Sequence, residues 1–263
     1  MNLCSKKKTL KQCCVEFLGT GLIVFLGISF SATSKLTNFH FNNYEISFIW
    51  GLGVFISVYF SFSTSGAHLN PAVTIFLWLS SQFNKKKVIP YIISQITGTF
   101  FFTILIYLIY HNLLNSFELK YNIVRGTKKS LELASIFCVF PKENYNFIHD
   151  FILEVSIGIF FIIILMKINE KKNLFSSYNF INPFLIGVLV TTINLFLGAH
   201  NNVTLNPARD LGPRIFLSLI GWGKLAFTGG DNMIFPYFLI PTIAPILGIN
   251  LGGWIYINFI IKK

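Results

Sequence analysis

The sequence predicts an all-α polytopic membrane protein: six transmembrane helices plus two re-entrant half-helices, arranged as an inverted repeat. Three observations carry this expectation. Of 263 residues, 53% are hydrophobic and only 12% charged, and mean hydropathy is +0.63. An ordinary soluble domain is about a quarter charged, and one of this length could not hide so much apolar surface. Second, six apolar stretches, near 13–33, 46–64, 88–111, 147–167, 180–198 and 235–260, reach the roughly 20 residues that cross a bilayer as helix. Third, two shorter apolar segments, 70–80 and 206–217, open on the same tripeptide, Asn-Pro-Ala. Each is about half a bilayer long. The same composition excludes a disordered chain, a collagen-like repeat and a disulfide-framework module.

The formal charge of +11 raises nucleic acid as a partner, and its distribution argues against one. Lys6, Lys7, Lys8 and Lys11 precede the first span, and Lys85, Lys86 and Lys87 stand together. Lys167, Lys171 and Lys172 form a third group, and Lys262 and Lys263 end the chain. Only Glu170 opposes these groups. The alternate segments, holding Lys35, Arg125 and Lys224 among others, are nearly neutral because Glu45, Glu118, Asp150 and other acids offset their cations. This is the positive-inside pattern, and it predicts cytoplasmic termini. Cys4, Cys13 and Cys14 fall on the cytoplasmic side and Cys138 on the outer one, so reduced thiols are expected. Glu16 interrupts the first apolar run and no small-residue cleavage site closes it, so it reads as a retained span.

The halves repeat. Glu16 precedes Asn70-Pro71-Ala72 by 54 residues, and Glu154 precedes Asn206-Pro207-Ala208 by 52. Each half, approximately 12–111 and 147–260 of one channel domain spanning 1–263, carries three spans and one half-span in the same order. Three is odd, so the second copy enters from the opposite side, and the half-spans meet near the midplane.

Asn is a favoured N-cap and Pro a favoured first helical residue, so both half-helices are expected to start at the bilayer centre. Irregular backbone survives there only if buried or facing water. The preceding segments, Gly66-Ala67-His68-Leu69 and Asn202-Val203-Thr204-Leu205, are expected to be extended and to offer carbonyls to a file of polar solute. If Asn70 and Asn206 accept from their own helices, their NH2 groups face the lumen as donors. Two helix N-termini, each about half a positive charge, then repel cations. A central water oriented by both donors breaks a proton-hopping chain, so neutral solutes pass and ions do not.

A charge inside a membrane is functional by default. Asp210 is favoured in the first turn of its helix and stands four residues before Arg214, suited to an ion pair. Arg209 is thereby left to present its guanidinium to the passage. Glu16 and Glu154 are expected to accept N–H groups from the pre-helix segments, and Pro213 to kink the second half-helix.

These motifs resemble the aquaporin (major intrinsic protein) family, and within it the bacterial glycerol facilitators. Ser65 to Thr74 and Leu205 to Pro213 are similar to its two signature loops, as are Ile49 to Gly53 and Ala226 to Gly230. The similarity covers about residues 12–258. It implies a homotetramer in the bacterial inner membrane, one pore per subunit, conducting glycerol and some water, with no cofactor. Asp210, Arg214 and Pro241 match marks of the glycerol-conducting branch. The family's selectivity filter falls on Trp50, Asn194, Val203 and Arg209. Trp50 and Arg209 match that branch, whereas glycine and phenylalanine are usual where Asn194 and Val203 stand. Trp50 and Val203 can line the solute's carbons; Arg209 and Asn194 can partner its hydroxyls, one of which costs about 2–7 kcal/mol if buried unpaired. The alternatives are a water-selective pore, which would want a tight, His-containing filter, an ion-coupled transporter, which would need lumenal carboxylates, and a membrane protein without flux. No nucleophile–base set, phosphate loop or metal-ligand spacing suggests an enzyme.

Overall fold

The computed structural model describes residues 3–141, 146–170, 180–198, 203–230 and 233–261. Lys171, Lys172, Lys262, Lys263 and Asn202 lie outside the described residues, as do His200 and Asn201. Among the described residues ten α-helices follow in order: α1 (Leu3–Leu36), α2 (Asn43–Ser65), α3 (Pro71–Leu79), α4 (Lys85–Tyr121), α5 (Leu131–Ala134), α6 (Phe147–Ile168), α7 (Ile181–Ile193), α8 (Pro207–Leu217), α9 (Leu225–Thr228) and α10 (Leu239–Ile255). π-helical turns Asn194–Gly198, Ser218–Trp222 and Tyr256–Ile260 extend α7, α8 and α10. No strand occurs among the described residues. Six of the helical runs are long and apolar enough to cross a membrane, and the chain is a multi-pass membrane protein.

Three ends differ from expectation. α4 runs to Tyr121 rather than about 111, and its 37 residues span about 55 Å, well beyond a hydrocarbon core of about 30 Å. A helix need not stop where the lipid does. This one stops at Asn122, whose left-handed φ of 50° lets its N–H bond the Glu118 and Leu119 carbonyls. α1 likewise begins at Leu3 and carries the first lysines as helix. The last span starts late, at Leu239 rather than 235, because Pro236 biases Phe235 away from helix. Local signals explain other boundaries. Asn42 and Glu45 form a reciprocal capping box at the start of α2, and Gly66, at φ 87°, closes it.

The inverted repeat is visible in the packing. α1 lies on α4 and α6 on α10, while α2 meets α7 across the halves. Each half-helix leans on the other half, α3 on α10 and α8 on α4. Close approach is bought by glycine at matched places: a Cβ on Gly98 would sit 2.2 Å from the Phe17 carbonyl oxygen, and one on Gly248 2.3 Å from that of Val155. The outward faces expose Phe60, Ile89, Leu108 and Trp254, as a lipid-facing surface requires. α8 stays helical through Pro213, and helical dihedrals first fail at Ile220 and Gly221. Gly212 lies so close to α4 that a Cβ there would sit 2.0 Å from Thr99 Oγ1.

Candidate conduction site

Asn70 and Asn206 cap α3 and α8. Asn70 Oδ1 accepts from the Ala72 N–H at 2.9 Å, and Asn206 Oδ1 from the Ala208 N–H at 3.0 Å. Pro71 and Pro207 take the first helical positions, and Ala72 and Ala208 are fully buried beneath the caps. The two NH2 groups are not both left to the lumen, however. Asn70 Nδ2 donates to the Leu205 carbonyl at 2.9 Å, and Asn206 Nδ2 to the Leu69 carbonyl at 2.7 Å. Each amide therefore latches onto the other half of the chain and keeps one N–H free.

The pre-helix segments are not simply extended. Ala67, Leu69 and Leu205 take left-handed φ values of 50°, 48° and 57°, a costly conformation for residues with a Cβ. Buried carboxylates hold them there. Glu16 accepts from the Ser65 hydroxyl at 2.6 Å, the His68 N–H at 3.0 Å, the Leu69 N–H at 2.7 Å and Gln95 Nε2 at 2.8 Å. Glu154 Oε1 accepts from the Thr204 and Leu205 N–H groups at 3.0 and 2.6 Å. The carbonyls divide into two sets. Those of Leu69 and Leu205 are occupied by the crossed asparagines, and that of Thr204 by the Asn206 N–H at 2.6 Å. Those of Gly66, Ala67, His68 and Val203 accept no hydrogen bond among the described residues. The carbonyl file is thus shorter than the sequence suggests.

Two cavities meet along this line. The outer one, about 490 Å³, is bordered by Asn43, Ser47, Glu132 and Phe140 among others. The inner one, about 110 Å³, runs past Leu205, Asn206, Asn70, His68 and Phe161. Trp50, Asn194, Val203 and Arg209 border both, so they form the junction. The Arg209 guanidinium lies over the Trp50 ring, 4.5 Å from its centroid. Arg209 Nη1 stays 3.8 Å from Asp210 Oδ1, beyond hydrogen-bond reach. It is buried with no hydrogen-bond partner among the described residues. Asp210 is engaged elsewhere: it accepts from the Val139 N–H at 2.8 Å and pairs with Arg214. Arg214, fully buried, also donates to the carbonyls of Ala226, at 2.5 Å, and Val139. Pro241 is buried in the first turn of α10.

Several members of this site carry no motif of their own. Gln95 bridges Glu16 and Thr74 from 79 residues away in sequence; a polar residue inside an apolar span was its only signal. The Val139 and Ala226 backbones, which complete the Arg214 site, left none. His68 lies edge-on to Phe83 at 4.4 Å and bonds Thr74 at 3.1 Å. No group of His, Cys, Asp and Glu able to hold a metal occurs among the described residues.

Known proteins are similar to this chain. A glycerol uptake facilitator protein of Buchnera aphidicola subsp. Schizaphis graminum is 81% identical over 262 residues, covering 100% of both chains. One from Escherichia coli K12 is 43% identical over 253 residues, 96% of this chain and 89% of that one. A propanediol uptake facilitator of Salmonella typhimurium is 42% identical, covering 96% and 94%. Among solved structures, the aquaglyceroporin from Plasmodium falciparum superposes with a TM-score of 0.83 at 27% identity, over 96% of this chain and 97% of that one. The major intrinsic protein family model matches residues 3–256. With both half-helices, their crossed caps and the paired carboxylates in place, the chain belongs to the major intrinsic protein family.

Proposed function

We propose that this protein is a passive channel for glycerol and similar small neutral solutes, passing some water and excluding protons and metal cations. The observation that carries the reading is the junction of the two cavities. There an indole and an isopropyl group, Trp50 and Val203, share one ring with a guanidinium and an amide, Arg209 and Asn194. A small polyol has the same two characters, hydroxyls along one edge and carbons along the other. Its hydroxyls lose water at the ring and must be partnered there; its carbons need only an apolar wall. Arg209, which borders both cavities, supplies guanidinium donors for such a hydroxyl. The names carried by the similar bacterial facilitators support glycerol as the main permeant.

Ions are rejected by the same parts. Arg209 and the N-termini of α3 and α8 put positive potential on the passage. The remaining N–H of each asparagine turns a central water so that its oxygen faces both amides, which interrupts proton hopping. No group at the junction performs chemistry on a solute, and the flux follows the gradient alone. We further propose a homotetramer in the bacterial inner membrane; the lysine asymmetry supports placing both termini in the cytoplasm. The repeats of the single channel domain run approximately over 12–111 and 147–260. Stopped-flow light scattering of proteoliposomes tests the function: glycerol is expected to enter many times faster than sorbitol. Glycerol entry no faster than into empty vesicles would overturn it.

A further inference from the structure

The end of the bundle where α1 and α4 begin carries cations that no acid of the chain offsets among the described residues. Lys6, Lys7, Lys8 and Lys11 are exposed on α1, Lys85 and Lys86 on α4, and Lys87 is half-buried beside them. Elsewhere cations meet carboxylates: Lys35 pairs with Glu132, Arg125 with Glu118 and Lys167 with Glu170. None of the seven lysines does so among the described residues. Three of them occupy the first turn of α4, where no acid stands and the helix dipole opposes them.

The two helices bring these groups together. Lys87 Nζ donates to Gln12 Oε1 at 2.9 Å, and Gln12 Nε2 donates to the Thr64 carbonyl at 3.1 Å. Further along, the rings of Phe17 and Phe101 lie 6.0 Å apart. α1 and α4 therefore run side by side in the same sense, and their lysines gather at one end. Helical spacing sets each group over an outward stripe. Lys7 and Lys11 share a face with Cys14 and Leu18, and Lys85 shares one with Ile89 and Ile93; all are exposed. A ligand that matches both features is negative at one end and hydrocarbon below it.

We propose that the α1–α4 seam binds an anionic phospholipid of the leaflet it faces. The phosphodiester sits among the lysines of both helices, and acyl chains run over Leu18, Ile89 and Ile93. Basic clusters directly beyond a membrane-spanning helix attract anionic headgroups in this way. A free phosphate ion would meet the lysines and leave the apolar stripes uncovered. The proposal concerns what covers the channel's flank and does not depend on which solute passes through it.

Native mass spectrometry of the full chain in neutral detergent, titrated with palmitoyl-oleoyl phosphatidylserine or phosphatidylcholine, counts the bound lipids. The serine headgroup is anionic and carries no glycerol that the pore could itself take up. Each lysine near an anionic headgroup is worth about fivefold in affinity. Lys7→Gln with Lys11→Gln, and Lys85→Gln with Lys86→Gln, should each weaken phosphatidylserine about twenty-fivefold and leave phosphatidylcholine alone. Lys120→Gln with Lys128→Gln, at the opposite end of the bundle, should change neither. Raising ammonium acetate from about 0.05 M to about 0.5 M should shrink the preference of the unaltered protein by screening, a readout that needs no variant. Equal binding of the two lipids by the unaltered protein overturns the proposal, as does a preference that survives both lysine pairs or high salt. An equal drop in the Lys120 and Lys128 control overturns it too, by reducing the effect to net charge. Displacement of phosphatidylserine by an equal concentration of inorganic phosphate would overturn a lipid as the occupant. None of these results bears on glycerol flux, so a failure here leaves the channel standing.

Discussion

The two half-helices begin alike and diverge within one turn. Counting from each asparagine, the third residue is Val73 in the first half and Arg209 in the second; the fourth is Thr74 and Asp210. Thr74 bonds inward, to Gln95 and His68. Asp210 bonds outward, to the Val139 backbone and Arg214, which in turn holds Ala226. The carboxylates differ as well. Glu16 divides four donors between its two oxygens, whereas Glu154 gathers its two backbone donors mainly on Oε1. Symmetry thus builds the passage, and its breaking builds the filter: Arg209, Asp210 and Arg214 stand where the first half has Val73, Thr74 and Trp78.

The strongest way to break this comparison is at Arg214. Arg214→Leu leaves Asp210 fully buried with its cationic partner gone, and should cost about 3–5 kcal/mol. Thermal unfolding in detergent would show it, and a shift comparable to that of a surface lysine substitution would refute the brace. A smaller and sharper contrast lies between Glu16→Gln and Glu154→Gln. At Glu16 both oxygens accept short bonds, so either amide orientation turns an NH2 toward a donor, at a cost of about 2–3 kcal/mol. At Glu154 the amide can keep Oε1 in place and lose only the 3.3 Å contact to the Thr204 N–H, for about 1 kcal/mol. Equal losses in the two variants would show that the carboxylates are interchangeable after all.

The smallest expected effect concerns Cys138, which is 1% exposed in the segment between α5 and α6. Burial pushes its thiol up from 9.0 to about 12. The folded state therefore holds this proton more tightly than the unfolded chain does. Its contribution is complete below about pH 9 and is lost as pH climbs toward 12. At pH 8, maleimide should label the exposed Cys14 and spare Cys138; mass spectrometry of the labelled chain reads the difference, and Cys138 modified as fast as Cys14 would show the segment around the Asp210–Arg214 pair to be open.

Much of this was legible in the sequence because its signals are local. Span lengths follow from apolar runs, and Asn-Pro-Ala states a cap, a first turn and a close contact in three residues. The Asp210–Arg214 spacing announces an ion pair by itself. What stayed hidden depends on contacts between distant segments. Nothing near Asn70 says that its amide will reach Leu205, 135 residues away, and so withdraw a carbonyl from the solute. Gln95 stands on a span whose rotation sequence does not state. Asn194 could be placed at the filter, but nothing near it announces the π-helical turn that it opens. Helix ends misled for a simpler reason: hydropathy marks where lipid stops, and Lys6 to Lys11 and Asn112 to Tyr121 remain good enough helix to continue past it.

The crossed asparagine latches carry one more consequence. Because each cap is completed by the opposite half, neither stub can slide or tilt without tearing out its counterpart, and the middle of the conduit behaves as a rigid collar. Any shutter that throttles traffic through this protein must therefore sit at its mouths, where the backbone is free of that mutual lock.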